Sequence, residues 1–229
     1  MARKNDREEN SGRACGKRKE NNKVLILTNG IDSEKNYFDI LKAKTRSPYS
    51  IKIEFQNGDP TQVFEKAVQL RSKYNHIWCV FDLDDFFDQG KIEPVFSKVK
   101  KYPNISIACS NEAFEVWLIN HYIRFESNQG RNSYGKVIEE ILNNESKQRI
   151  TYDKKDNKLL ENFFISKHQE ATNNSKFTWQ KKMVLFEKDN PQFVGTPQIW
   201  NLHNVTTVYK VIEFLRLESK NRRKSDTSQ

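Results

Sequence analysis

The sequence predicts an α/β protein with a mostly parallel sheet flanked by helices and a helical C-terminal extension. Through the first half of the chain, short continuous apolar runs alternate with segments of helical periodicity. After Asn111 the helical pattern continues for most of the remaining sequence. Strands that alternate with helices form parallel sheets, because each crossover packs its helix on a face of the sheet.

A chain of 229 residues can bury one sizeable core. Composition and periodicity divide it into a disordered basic arm (1–22), an α/β core (23–125), a helical extension that completes the domain (126–218) and a basic tail (219–229).

The first half of the chain gives three strand predictions and two helix predictions. Val24–Leu27 is an apolar run closed by a glycine turn, and Ser33 can cap a helix that continues to Lys44. Residues 49–55 alternate with a period of two, a helix begins at Pro60, and residues 76–81 form the third strand.

The second half gives one more strand and mostly helices. Residues 92–101 predict a helix and residues 105–109 a strand. Helices are then predicted over 112–122, 134–143, 159–168, 179–186 and 205–217. The polar segments 125–133, 145–157 and 171–177 are predicted to be connections, which could be flexible or contact a substrate.

The composition favours a cytoplasmic protein that binds a polyanion. No apolar stretch approaches the roughly 18 residues of a membrane span, so no membrane association is expected. The net charge of +9 favours nucleic acid, although much of it lies in Lys17–Lys19 and Arg222–Lys224, which could be solvated tails. Cys15, Cys79 and Cys109 form no CxxC pair, which predicts neither a disulfide nor a zinc site.

Three carboxylates follow the third strand directly. Asp82 and Asp84 are two residues apart in an extended segment, so they can point to the same side and converge on one cation, with Asp85 beside them. Hard oxygen ligands without His or Cys suit Mg²⁺ or Mn²⁺. The alternative is ordinary turn and helix-capping chemistry.

Two further segments are polar where strands end. The segment 28–34 can be a glycine-containing turn followed by a helix cap. In the segment 110–121, Glu115 is expected to be a half-buried carboxylate that needs a partner. His121 is a candidate base, but a core histidine with a satisfied hydrogen bond is the favoured interpretation.

The joint order of these segments resembles the RloB-like proteins, which are related to the Toprim fold. The resemblance is carried by Leu27-Thr28-Asn29-Gly30 with Asn36-Tyr37-Phe38, by Val80-Phe81-Asp82-Leu83-Asp84-Asp85, by Ser110-Asn111 with Phe114-Glu115-x-Trp117 and His121, and by Asn204-Val205-Thr206-Thr207-Val208-Tyr209.

The resemblance implies a nuclease-like site, since Toprim-type enzymes hold Mg²⁺ with a Glu after the first strand and an Asp-x-Asp. Here Asn29 stands at the position of that Glu. An amide oxygen can still bind Mg²⁺, but it lacks charge and cannot act as a general base. The missing carboxylate could come from Asp32, Glu34 or Glu115. The candidate metal ligands are Asp82, Asp84 and Asn29, and the catalytic candidates add Glu115 and His121.

The resemblance also implies a nuclease effector of a bacterial anti-phage abortive-infection system, controlled by an ABC- or AAA-type ATPase encoded nearby. The chain has no GxxxxGK[ST] motif of its own. Arg13, Lys17, Arg18 and Lys19 are expected to contact phosphates, with RNA favoured over DNA. The alternatives are a catalytically degenerate nucleic-acid-binding or regulatory subunit and an interaction module. A homo-oligomer is also compatible with the sequence.

Overall fold

The computed structural model describes residues 22–83, 86–127, 129–194 and 198–219. The predictions made for the basic arm with Arg13, Lys17, Arg18 and Lys19, for Asp84 and Asp85, and for residues 220–229 lie outside the described residues. The strands are β1 (Lys23–Thr28), β2 (Thr45–Arg46), β3 (Ser50–Phe55), β4 (His76–Asp82), β5 (Ile105–Asn111), β6 (Val205–Thr206) and β7 (Glu218–Ser219).

The α-helices are α1 (Asn36–Lys44), α2 (Pro60–Leu70), α3 (Ile92–Val99), α4 (Glu115–Ile119), α5 (Tyr134–Ser146), α6 (Asn157–Leu159), α7 (His168–Asp189) and α8 (Val208–Leu215). A π-helical turn, Ile31–Lys35, precedes α1. A second π-helical segment, Leu160–Phe164, follows α6.

The main sheet has the order β3-β1-β4-β5-β6. Its first four strands are parallel, and only β6 runs antiparallel, beside the end of β5. β2 and β7 form a separate antiparallel pair. The predicted α/β architecture, a mostly parallel sheet with helices on its faces and helices toward the C-terminus, is confirmed.

Both faces of the sheet are covered, which explains the continuous apolar runs of β1 and β4. Successive side chains of a strand point to opposite faces. Val24 and Ile26 accordingly belong to one hydrophobic cluster, while Leu25 and Leu27 belong to the other. The first cluster also takes its side chains from α4, α5 and α8, so the helical extension packs on the same core as the sheet.

Three local predictions were wrong: those for Ser33, for residues 205–206 and for residues 171–177. Ser33 does not cap a helix: it is buried within the π-helical turn, and α1 begins three residues later. Residues 205–206 form β6 rather than the start of a helix, because they pair with Asn111 and Ser110 of β5.

The segment 171–177 is helical, not a connection, and forms part of the 22-residue α7. Its buried face carries the small side chains of Ala171, Thr172, Ser175 and Thr178 instead of large apolar ones, so the hydrophobic period is weak. Within the part of the chain that is described, no helix is long and apolar enough to cross a membrane.

Candidate functional site

Carboxylates gather at the carboxyl ends of three neighbouring strands. Glu34 follows β1, Asp82 is the last residue of β4, and Glu115 follows β5. The order β1-β4-β5 places these strand ends side by side. The charges of Glu34 and Glu115 both act on Asp82, so the topology joins residues that are 81 positions apart in the chain. This edge of a parallel sheet is where ligands bind in open α/β folds.

Glu34 is turned back over the end of β1 by a wide turn. The backbone N–H of Lys35 donates to the carbonyl of Gly30 at 3.2 Å. The Glu34 side chain lies against Gly30, where a Cβ atom would stand only 1.7 Å from Glu34 Oε2. Residue 30 is therefore a glycine because the carboxylate occupies the space of its side chain.

Burial makes Glu34 difficult to ionise. The residue is only 4% exposed. The pKa of Glu34 rises from 4.5 to about 7, chiefly through desolvation and also through the charge of Glu115. Hydrogen bonding from its own backbone N–H and the charges of Lys154 and Arg131 oppose the rise. Glu34 is thus a carboxyl group that can gain or lose a proton near neutral pH.

Asp82 is the most strongly perturbed member of the group. Part of the residue reaches solvent, but its Oδ1 is buried and has no hydrogen-bond partner among the described residues. Desolvation raises the pKa of Asp82 well above its ordinary value, and the negative charges of Glu34 and Glu115 add to the rise. Arg131 and the backbone N–H of Phe114 oppose it. A buried carboxylate oxygen without a partner is costly unless a cation or a donor satisfies it.

Glu115 is held in place by the helical extension. The phenol of Tyr152 donates to Glu115 Oε1 at 3.2 Å. The backbone N–H of Tyr152 donates to Glu139 Oε1 on α5 at 2.9 Å, which fixes the segment that carries the phenol. Burial and the neighbouring Glu115 raise the pKa of Tyr152 far above its ordinary value, so it remains a donor.

Two exposed cations flank the carboxylates. The backbone N–H of Arg131 donates to Glu112 Oε2 at 2.9 Å, which ties its loop to the residues after β5. Lys154 lies two residues beyond Tyr152 and is also exposed. Both charges lower the pKa of Glu34, so both reach the site electrostatically. The site consists of acidic groups inside and basic groups at its rim.

Asn204 fixes the loop that leads to Arg131. Its side-chain N–H₂ donates to the carbonyl oxygens of Ser127 at 2.6 Å and Gln129 at 2.9 Å. Its Oδ1 accepts a short hydrogen bond from Tyr134. The residue is buried and has φ 53°, a conformation that asparagine tolerates better than most residues. The segment around residue 204 therefore affects the site indirectly, because Asn204 holds the loop that leads to Arg131.

Asn29 has a structural position at the edge of the site. Its side-chain N–H₂ donates to the carbonyl of Gly58 at 3.1 Å, and its backbone N–H donates to Val80 O at 3.1 Å. The amide thus ties the end of β1 to the turn after β3. The carboxylate on the β1 side of the site is Glu34, one of the three alternatives named from the sequence.

His121 lies in the hydrophobic core. Its Nδ1 donates to the carbonyl of Trp117 at 2.9 Å, which leaves Nε2 to accept from the hydroxyl of Tyr37 at 3.0 Å. Burial lowers the pKa of His121 to about 3. The ring packs edge-on against aromatic neighbours rather than facing the carboxylates, so we correct its candidate role as a base.

Sequence reasoning did not assign Tyr152, Arg131, Lys154 or Asn204 to the carboxylate site, although it named the segments 125–133 and 145–157 as possible substrate contacts. Asn204 had a signal, because the segment that it opens carries the family resemblance. Among residues 22–83, 86–127, 129–194 and 198–219, no three His, Cys, Asp or Glu side chains are arranged to hold a metal ion by themselves. Asp84, the other predicted ligand, lies outside these ranges.

The family model described as RloB-like protein matches residues 24–215. The match includes all three strands that end at the carboxylates, and it extends through α5, α7 and α8. Searches of the curated proteins and of the solved structures gave no significant match. Since the family model covers most of the sequence, the chain belongs to the RloB-like protein family.

Proposed function

We propose that this protein is a Toprim-like nuclease that requires Mg²⁺ or Mn²⁺ and cleaves nucleic acid, with RNA favoured over DNA. The observation that carries the proposal is the cluster of Glu34, Asp82 and Glu115 at three adjacent strand ends, with Asp82 Oδ1 buried and unpaired. The charges of Glu34 and Glu115 raise the pKa of Asp82, and a bound cation would offset this repulsion, since it favours the charged form of a carboxyl group.

The oxygen donors fit a hard divalent cation. Mg²⁺ keeps several waters and is usually bound through one or two protein carboxylates together with substrate phosphates, so the fit does not need three protein ligands. Asp82 would hold the cation, and Asp84 is the second ligand predicted from the sequence. When bound, the cation would polarise a phosphoryl oxygen and favour hydroxide as the nucleophile.

The protein side chains have separate tasks in this proposal. Glu34, whose pKa is raised toward neutrality by burial, accepts a proton from the water that attacks phosphorus. The P–O bond to the leaving strand breaks, its oxygen takes a proton from solvent, and Glu34 releases its own proton to solvent. Tyr152 fixes Glu115 by its hydrogen bond. Arg131 and Lys154, exposed at the rim, bind the phosphates of the strand and orient it above the carboxylates.

Membership of the RloB-like family supports the biological part of the proposal. In it, the protein is the effector of a bacterial anti-phage abortive-infection system in the cytoplasm, and an ABC- or AAA-type ATPase encoded nearby controls it. The alternative of a degenerate binding subunit was motivated by Asn29. The presence of Glu34 on the β1 side of the site weakens the support for this alternative, because a carboxylate is present there.

The test uses the full chain with labelled single-stranded RNA, transfer RNA and DNA, with and without Mg²⁺ and with and without the partner ATPase. Asp82→Asn and Glu34→Gln are each expected to lower the cleavage rate by about 100-fold or more. Glu65→Gln, on the exposed face of α2, is the matched control and should leave the rate unchanged. Cleavage that persists in Asp82→Asn would refute the proposal.

A second experiment distinguishes the role of Glu34 from that of Asn29. Asn29→Ala removes the hydrogen bond to Gly58 and, on our proposal, costs stability but leaves cleavage that depends on Mg²⁺. If Asn29 were an essential ligand, its loss would abolish cleavage as completely as the loss of Asp82. Calorimetric titration with Mg²⁺ decides the remaining case: no heat of binding in the wild type would favour the degenerate binding subunit.

A further inference from the structure

The outer edge of β5 is paired along only part of its length. β6 pairs with Ser110 and Asn111 alone. Thr207 then forms hydrogen bonds with both backbone groups of Cys109, which point outward. Its N–H donates to Cys109 O at 2.8 Å, and its Oγ1 accepts from Cys109 N at 2.9 Å. The chain next turns into α8, so no described strand pairs with the outer edge of residues 105–108.

The backbone of Ile107 points outward at this edge. Asn104 O accepts from Ile77 N of the neighbouring strand, which directs the carbonyl of residue 104 toward β4. Backbone groups of successive residues alternate between the two sides of a strand, so those of 105, 107 and 109 point away from β4. The bonds of Cys109 to Thr207 agree with this alternation. The N–H and C=O of Ile107 thus face the open side.

A groove of about 420 Å³ runs along the same edge. α3 borders it on one face of the sheet and α8 on the other. Its apolar lining includes Trp78, Phe96, Val99, Tyr102, Ile105 and Ile107. Two exposed lysines, Lys100 at the end of α3 and Lys210 on α8, also line it, one on each side. The edge therefore combines outward backbone groups, an apolar floor and positive charge.

We propose that this groove binds an extended acidic segment of a partner protein, which adds to the sheet as a strand beside β5. Backbone hydrogen bonds to Ile107 give such a segment its register, alternate apolar side chains enter the groove, and its carboxylates face Lys100 and Lys210. The positive charge of the groove argues against the chain's own ends as occupants, because residues 1–21 and 220–229 each contain more Lys and Arg than Asp and Glu. The proposal is independent of nuclease activity.

The experiment selects peptides from a display library of random linear octapeptides on the full-length protein and removes those that also bind Ile107→Pro. Proline at 107 removes the donor that points out of the sheet and replaces the Ile107 side chain of the groove lining, and proline is accepted at such edge positions. The enriched peptides are expected to alternate acidic with apolar residues. Their affinity should fall at least tenfold in the double variant Lys100→Glu, Lys210→Glu, which changes exposed side chains and keeps the fold.

Two controls make the result decisive. Hydrogen exchange at the amide of Ile107 should slow when a selected peptide binds, and urea unfolding reports whether Ile107→Pro is folded. If that variant does not fold, the double lysine variant alone serves as the comparison. Failure to enrich any peptide, or binding that survives the lysine reversals, would overturn the proposal. So would a dimer of this chain that those reversals dissociate, because the occupant would then be a second copy.

Discussion

Glu34→Gln should stabilise the metal-free protein above neutral pH while it destroys the activity proposed for the site. Glutamine keeps the shape of the side chain and cannot ionise. In the wild type the pKa of Glu34 rises from 4.5 in the unfolded chain to about 7 in the folded one. The folded state therefore holds the proton more tightly, and the stability due to the neutral carboxyl is fully present below pH 4.5 and is lost as the pH rises through 7.

The magnitude follows from the same two values. One pKa unit corresponds to about 1.4 kcal/mol, so the rise from 4.5 to about 7 corresponds to about 3 kcal/mol of lost unfolding free energy, most of it between pH 5 and pH 8. Glu34 is almost fully buried, so solvent screening does not reduce this figure appreciably. Glu34→Gln should lack this loss.

Urea unfolding at pH 5 and pH 8 in the presence of a chelator measures the effect. The difference in unfolding free energy between Glu34→Gln and the wild type should grow by about 2 to 3 kcal/mol from the lower to the higher pH. The low pKa of His121 also makes stability depend on pH, but both proteins share that residue and its contribution cancels. Glu65→Gln provides the exposed control. A difference that stays constant between the two pH values would refute the reasoning.

Three further predictions concern the supports of the site. Gly30→Ala should displace the Glu34 carboxylate. The cleavage rate and the change in unfolding free energy between pH 5 and pH 8 should then both fall toward the values for Glu34→Gln, and combining the two substitutions should add little. Tyr152→Phe should cost about 1 kcal/mol in urea unfolding and slow cleavage, because Glu115 loses a donor. Asn204→Asp should cost about 2 kcal/mol or more, since it removes the donors to Ser127 and Gln129 and puts a buried carboxylate oxygen against their carbonyl oxygens. Asn204→Gly loses the same donors but adds no such repulsion and accepts φ 53°, so it should cost less.

The fold could be predicted because its strands carry local signals. The apolar runs of β1, β4 and β5 identify buried parallel strands without knowledge of their partners. β6 could not be predicted in this way, since two residues have no periodicity and Val205 and Thr206 are a strand only through their pairing with β5. α7 was partly missed for a related reason: its buried face is made of small, mostly polar side chains, which give little hydrophobic periodicity.

The candidate site was predictable at Asp82 because that residue ends a strand, where the sheet itself fixes its direction. The supporting residues come from segments that meet the site only after the helical extension packs. Tyr152 and Arg131 are 70 and 49 residues away from Asp82 in sequence, and no local spacing links them. Their partners Glu115 and Glu112 are visible only as hydrogen bonds between distant elements.

The backbone explains why the carboxylate on the β1 side of the site is Glu34 and not a residue directly after the strand, where Asn29 stands. A comparison of motifs assumes that the residue directly after the strand faces the site. Here the bond from Lys35 N to Gly30 O closes a turn wider than that of an α-helix, and this turn carries the fourth residue after Gly30 back over the strand end. The return is sterically permitted only because residue 30 has no side chain. Asn29 fixes the neighbouring turn at Gly58, and the carboxylate at this edge of the sheet is Glu34, five positions further along the sequence.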